Sequence, residues 1–127
     1  MISPVAEGLS GLLQWSEPVI FDRLLDAYRR RLKDPQICRS LARSHARVWR
    51  ALISGDMMQF ETLRSELVEA LASQALDLDC LADADERTLT ELVEIVVARF
   101  HRSQRVATGY HLALIKLAGS LTPAHAA

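Results

Sequence analysis

The residues best suited to chemistry are histidines and cysteines, and they are scattered along the chain rather than clustered. The chain contains four histidines and two cysteines, which are His45, His101, His111, His125, Cys38 and Cys80. No two histidines have the His-x-x-x-His spacing of a zinc helix, and two cysteines cannot build a four-cysteine zinc site. The sequence also lacks a Gly-x-Ser-x-Gly elbow and a glycine-rich phosphate loop. We therefore predict no metal site, no catalytic residues and no enzymatic activity.

A basic run, Tyr28-Arg29-Arg30-Arg31-Leu32-Lys33, raises the question of nucleic-acid binding. Further along the chain, Arg43, Arg47 and Arg50 recur at i, i+4 and i+7, so they share one exposed helix face. A DNA-reading module would also need a short turn between two helices and polar side chains that contact the bases. The net charge of −1 gives no general attraction to phosphate. We do not expect nucleic acid to be the partner.

Three other polar side chains fall on the inward faces of the predicted elements. Tyr28 and His45 lie on apolar stripes of consecutive helices, and Trp49 follows His45 by one turn. A buried hydroxyl or imidazole needs a hydrogen-bond partner, because leaving it bare costs about 1–3 kcal/mol. Two interpretations stay open. The groups bond to backbone carbonyls in a filled core, or they face a cavity and orient a small apolar ligand.

The elements that position these residues are predicted to be helices, because apolar residues recur with a helical period and no alternating strand pattern occurs. Half of the residues are hydrophobic, which is enough for one core. The sequence predicts a single all-α domain over residues 1–127, with five to six helices and its core at about 17–120. A short helix between Ser3 and Trp15 has the weakest pattern, since Gly8 and Gly11 lower its intrinsic propensity.

Capping residues and a glycine predict where the helices begin and end. Asp34-Pro35 starts a helix, because aspartate caps the first turn and proline suits its first position. Gly55 ends that helix. Residues 75–84 are predicted to form an acidic connector, after which Asp83 or Asp85 caps a long helix.

Charge is distributed unevenly. Residues 1–55 carry a net charge of +4, residues 56–95 a net charge of −9, and residues 96–127 a net charge of +4. Such polarity either steers a charged partner or reflects solvated helix faces. No apolar run approaches the roughly 18 residues of a membrane span, and no secretory signal opens the chain. We expect a cytoplasmic protein that does not associate with membranes.

The order of these motifs resembles that of globin-coupled sensor domains. Tyr28-Arg29-Arg30-Arg31-Leu32-Lys33-Asp34-Pro35 resembles the segment in which an aromatic-rich helix of that family ends in Asp-Pro. Ser44-His45-Ala46-Arg47-Val48-Trp49-Arg50-Ala51-Leu52, followed by Ser54-Gly55-Asp56, resembles the next signature, a histidine and a tryptophan before a turn. The resemblance covers roughly residues 17–120. It implies a globin-like fold that is shortened at its N-terminus.

The resemblance also implies that haem is missing. In that family a proximal histidine stands four residues before a Gly-Leu-Asp-Pro-like step, which here reads Ala75-Leu76-Asp77-Leu78. The ligand position therefore falls on Leu71, and leucine cannot ligate iron. Tyr28 matches the distal tyrosine, whose role needs iron. The chain is thus similar to the haem-free N-terminal domains of stressosome sensors. We expect no cofactor, with a pocket lined by Tyr28, His45, Trp49 and Leu71.

As to function, the resemblance implies a regulatory or sensory domain that works through an unidentified regulatory protein partner, with an apolar ligand as an option. Since no output domain is attached, we expect it to act in trans. Sensor globins of this family dimerise through their last two helices, here Thr88–Arg102 and Gln104–Leu117. If the stripe of Leu89, Val93, Val97 and Phe100 faces the core, the residues left for a homodimer interface are Leu92, Ile95, Val96, Leu112 and Ile115.

Two alternatives of other classes stay open. The first is a haem-binding gas sensor that uses a non-standard ligand such as His45 or His101. The second is a small helical adaptor or anti-activator without a ligand, whose acidic middle segment mimics a charged surface. Binding of its partner would then weaken strongly with salt.

Hemin titration tests the expected absence of haem. Because leucine occupies the ligand position, hemin added to the purified protein should give only weak, non-specific absorbance changes. A stoichiometric Soret band that disappears in His45→Ala or His101→Ala would instead establish the gas-sensor alternative.

Overall fold

The protein is all-α, as the sequence predicts. A computed structural model describes residues 3–121, so His125 lies outside the described part of the chain. Within that range there are six helices and no strand: α1 (Pro4–Trp15), α2 (Glu17–Arg29), α3 (Pro35–Ser54), α4 (Met57–Ser73), α5 (Leu78–Phe100) and α6 (Gln104–Leu121). None of these helices combines the length and the hydropathy needed to cross a membrane.

Side-chain caps begin the central helices where the sequence predicts. The Asp34 carboxylate accepts hydrogen bonds from the backbone N–H groups of Gln36 and Ile37 at the start of α3. Gly55 ends α3 with φ 83°, the left-handed conformation that glycine adopts without strain. The Asp56 carboxylate then accepts from the N–H of Gln59 and opens α4.

The predicted acidic connector at residues 75–84 is too long, since only residues 74–77 lie between α4 and α5. The Asp77 carboxylate accepts from the N–H of Cys80, and α5 begins at Leu78, well before Asp83 and Asp85. Carboxylates in the first turns of a helix are favoured by the helix dipole, so an acid-rich stretch is compatible with a helix start. Asp83 also pairs with Arg87 one turn later, at 3.0 Å. The acidic residues in the first turns of α5 therefore stabilise this helix, although the sequence predicted them to lie before it.

Helix α3 occupies the middle of the packing. It lies against α2 and α4 and also contacts α1 and α6, while α5 packs between α2 and α6. Its inward face supplies the largest share of the core, which includes Trp49 with no exposed surface. The inward side chains of α3 therefore meet residues from most of the other helices.

Helix α1 is well formed despite its two glycines, because it lies almost against the backbone of α6. A Cβ atom placed on Gly8 would collide with the carbonyl oxygen of Gly109, and one on Gly11 would collide with the hydroxyl of Tyr110. The indole of Trp15 donates a hydrogen bond of 3.0 Å to that same hydroxyl. The glycines thus allow a close helix contact that compensates for their low helix propensity.

Replacing single glycines in α1 and α6 tests this close contact. Gly8→Ala should lower the free energy of unfolding by about 1–3 kcal/mol, because the new methyl group must push the two helices apart. Gly119→Ala is the matched control. It adds the same methyl group to a helix where nothing lies within 4 Å, and it should raise stability by up to about 1 kcal/mol. Urea unfolding monitored by circular dichroism measures both. Equal effects of the two changes would contradict the close contact.

Candidate functional site

The three polar side chains expected in the interior do meet there. Tyr28, near the end of α2, and His45 and Trp49, on one face of α3, each have no exposed surface. The packing of α2 and α5 against one another adds a fourth residue, Asp85, which is 5% exposed. Together these four residues form the polar core cluster.

Hydrogen bonds connect the polar core cluster into one chain. The Tyr28 hydroxyl lies 2.7 Å from His45 Nδ1, and His45 Nε2 lies 2.7 Å from Asp85 Oδ1. Trp49 Nε1 donates to the same Asp85 oxygen at 2.9 Å. Among the described residues no buried side-chain nitrogen or oxygen lacks a partner. The cluster therefore follows the general rule that buried polar groups are hydrogen-bonded.

The direction of each bond follows from the donors available. An ionised Asp85 can only accept, so His45 must carry its proton on Nε2. With neutral histidine, Nδ1 then accepts from the Tyr28 hydroxyl, and every proton in the cluster has an acceptor. Burial raises the pKa of Tyr28 far above its usual value of 10.0, with smaller contributions from Cys80 and Asp85. The hydroxyl therefore stays protonated and remains a donor.

One end of the cluster approaches the surface. A cleft of about 30 Å³ reaches Asp85 and is also lined by Arg64, Leu78 and Leu81. That volume is about the share of one water molecule in the liquid. The second carboxylate oxygen of Asp85, which has no hydrogen-bond partner among the described residues, is thus within reach of solvent.

An acid, an imidazole and a hydroxyl in series have the connectivity of an acyl-transfer triad. Here the hydroxyl belongs to Tyr28, which has no exposed surface, so a substrate has no path to it. The cysteines offer no substitute, since both are buried and burial raises the pKa of the Cys80 thiol. This geometry suits a structural role for the cluster.

The interior has few free groups to hold a ligand or an iron atom. Both ring nitrogens of His45 are engaged, so ligating a metal would break a buried hydrogen bond. Leu71 is buried on α4, which packs chiefly against α3, and it lies outside the polar core cluster. No group of three or more potential metal ligands occurs among residues 3–121. The larger clefts, of about 230 to 390 Å³, include neither Leu71 nor any residue of the polar core cluster in their lining.

The predicted interface residues divide into two groups, and part of the prediction is wrong. Leu92 and Val96 have no exposed surface and belong to the core, and Ile95 is half-buried. Leu112 and Ile115 are exposed, by 38% and 67%. The stripe of α5 expected to face the core is instead partly outside, since Val93 and Val97 are 38% and 55% exposed. The core uses the face of α5 that carries Asp85 and Thr88.

Asp85 is the site residue that sequence reasoning missed. Expected as a helix cap, it lies instead within α5, at i+4 from Leu81 and i−7 from Leu92. An acid inside an apolar stripe is a usable signal, because a buried carboxylate must find donors. Asp85 can be recognised as part of this apolar stripe only if the predicted helix begins before residue 80, so that it also includes Leu81.

In comparisons with known proteins, the chain matches no family model, no curated protein and no solved structure. The site is therefore interpreted from its own geometry, and the resemblance to sensor globins stays a prediction.

Removing one hydroxyl tests whether the polar core cluster is structural. Tyr28→Phe leaves His45 Nδ1 without a donor in a dry site and should lower the free energy of unfolding by about 1–3 kcal/mol. Tyr110→Phe is the matched control. Its hydroxyl accepts from Trp15 in a part-buried position, where water can replace it, so the loss should be smaller. Urea unfolding followed by tryptophan fluorescence measures both. An unchanged stability in Tyr28→Phe would contradict the structural role.

Proposed function

We propose that this chain is a haem-free, globin-like regulatory or sensory domain that acts through protein–protein contacts and pairs with a second copy through α5 and α6. The observation that carries the proposal is the apolar outer face of these two helices. Its members are 38–67% exposed and comprise Val93, Val97, Leu112 and Ile115. Exposed apolar side chains on two helices that pack against each other are typical of an interaction site.

The geometry of α5 and α6 supports self-pairing. A turn at residues 101–103 joins the two helices, which pack against each other and therefore run antiparallel. Val93 and Val97 are one turn apart on α5, and Leu112 and Ile115 are three residues apart on α6. A two-fold axis over this face would bury each side chain against its counterpart and form a four-helix contact.

The closed interior supports a role that depends on the surface. The donors of Tyr28, His45 and Trp49 are all engaged within the cluster, so it presents no unpaired donor for orienting a ligand. The remaining polar group is the second Asp85 oxygen, at a cleft of about 30 Å³, about the share of one water molecule. In the proposed domain the cluster therefore holds neither haem nor an apolar ligand. Signals would reach it through contacts that change its association, not through a bound gas.

One backbone feature supports the alignment with sensor globins. The glycine of the family's Gly-Leu-Asp-Pro-like step falls on Ala75, and Ala75 adopts φ 59°. That left-handed conformation is the one that glycine adopts most easily and that alanine adopts at a cost. The same step contains Asp77, which caps α5. The local structure at the step therefore fits the residue types that the resemblance implies.

Placing a carboxylate on the exposed face tests the pairing. The wild-type protein should run as a dimer at tens of micromolar, about the range in which a modest interface associates. Val97→Glu and Ile115→Glu should each give folded monomers, because the interface would have to bury a carboxylate. Size-exclusion chromatography with light scattering measures the mass, and circular dichroism confirms folding.

Two control variants separate pairing from folding. Met58→Glu places the same group on an apolar residue that is 82% exposed on another helix, and it should leave the dimer intact. Val96→Glu puts the carboxylate into the core and should unfold the chain. A monomeric wild-type protein, or dimers of unchanged stability in both Val97→Glu and Ile115→Glu, would refute the pairing.

A further inference from the structure

A second surface, sharing no residue with the α5–α6 face, is built along the outer side of α3. Three clefts of about 230, 390 and 290 Å³ follow one another there between α2, α3 and α4. Arg50 lines all three clefts, while Arg47 and Ala46 each line two. The clefts therefore adjoin one another along α3, and together we call them the basic groove.

Cations dominate the rim of the basic groove. Arg43, Arg47 and Arg50 are exposed, and they project from one helix face at i, i+4 and i+7. Glu17 is the one acid among the lining residues, and it pairs with Arg50 at 3.4 Å. Both partners of that pair are more than 60% exposed, so it contributes little to stability and is easily exchanged. Arg43 and Arg47 form no ion pair within residues 3–121.

The floor of the basic groove is apolar. Ile20 and Ile53 are buried beneath it, Phe21 is half-buried, and Leu13 is 41% exposed at its edge. The part of α3 that lines the groove spans residues 43–54, which is about 17 Å, or three helical turns, at 1.5 Å per residue. An apolar floor beside a row of arginines on α3 is complementary to a ligand with apolar and acidic side chains on one face.

We propose that the basic groove binds an acidic amphipathic helix of a partner protein. Three turns of such a helix would place leucine-like side chains on the floor and carboxylates against Arg43 and Arg47, as in other helix-in-groove complexes. A nucleic acid is a poorer match, because its phosphates would leave the apolar floor unused and would face Glu17. The proposal does not depend on pairing through α5 and α6.

A designed peptide tests the basic groove directly. The probe is a fluorescein-labelled peptide of about 15 residues, long enough for three helical turns, with leucines at i, i+3, i+4 and i+7 and glutamates beside them. It should bind the wild-type protein with an affinity that falls as salt is raised. Arg47→Glu and Arg43→Glu should each weaken binding about tenfold or more, because each change replaces attraction by repulsion. Fluorescence anisotropy measures the affinity.

The matched control is Arg102→Glu, which makes the same charge change at an exposed arginine outside the basic groove. It should leave the affinity within about twofold of the wild-type value, since long-range charge effects are screened. A peptide with serine in place of leucine should bind at least about tenfold more weakly, because it cannot bury side chains on the floor. Circular dichroism verifies that all variants fold.

The same measurements distinguish an acidic helix from other occupants of the basic groove. Absence of peptide binding, or equal binding by Arg47→Glu and the wild-type protein, would overturn the proposal. If the serine peptide bound as tightly as the leucine peptide, the groove would be a non-specific basic patch, and the proposal would be wrong. The proposal would also fail if a labelled oligonucleotide displaced the peptide and bound more tightly. Self-association lost in Arg47→Glu but kept in Ile115→Glu would assign the groove to the acidic segment of a second copy.

Discussion

A buried carboxylate is the constraint on which the arrangement of α2, α3 and α5 depends. Removing Asp85 from water is unfavourable unless donors surround it, and two donors, His45 and Trp49, come from α3. His45 in turn needs a donor for its second nitrogen, and Tyr28 on α2 provides one. Apolar side chains tolerate small shifts between helices, whereas hydrogen bonds of 2.7–2.9 Å do not. The cluster therefore fixes how three helices are placed along one another.

Sequence reasoning succeeds here wherever the determining interactions are local. The caps at Asp34 and Asp56 and the glycine at the end of α3 act within one turn, so residue types alone reveal them. The inward positions of Tyr28, His45 and Trp49 follow from periodicity within strongly amphipathic helices. What joins these residues to Asp85 is a contact across 40 positions of the chain, which no local pattern specifies.

Helix α5 shows where periodicity stops being informative. Two faces of this helix are apolar, one with Leu92 and Val96 and the other with Val93 and Val97. The apolar pattern alone therefore does not show which face packs in the core. The structure selects the face of Leu92 and Val96, because that face also carries Asp85, whose carboxylate accepts from His45 and Trp49 in the interior. The glycines of α1 also act through a contact that is distant in sequence, since they allow the helix to approach Gly109 and Tyr110 of α6 closely. Local helix propensity is outweighed there by a close packing contact.

The contact between α1 and α6 has a consequence for how the chain reaches its native state. Trp15 and Tyr110 are separated by 95 positions, and Glu7 and Arg105 by 98. During synthesis α1 is made well before α6, the helix that covers it. Contacts of such long sequence separation close late, since loop closure must be achieved before they stabilise anything. A nascent chain would therefore hold α1 without its partner until α6 has been made, and this interval is when a chaperone would find α1 most accessible.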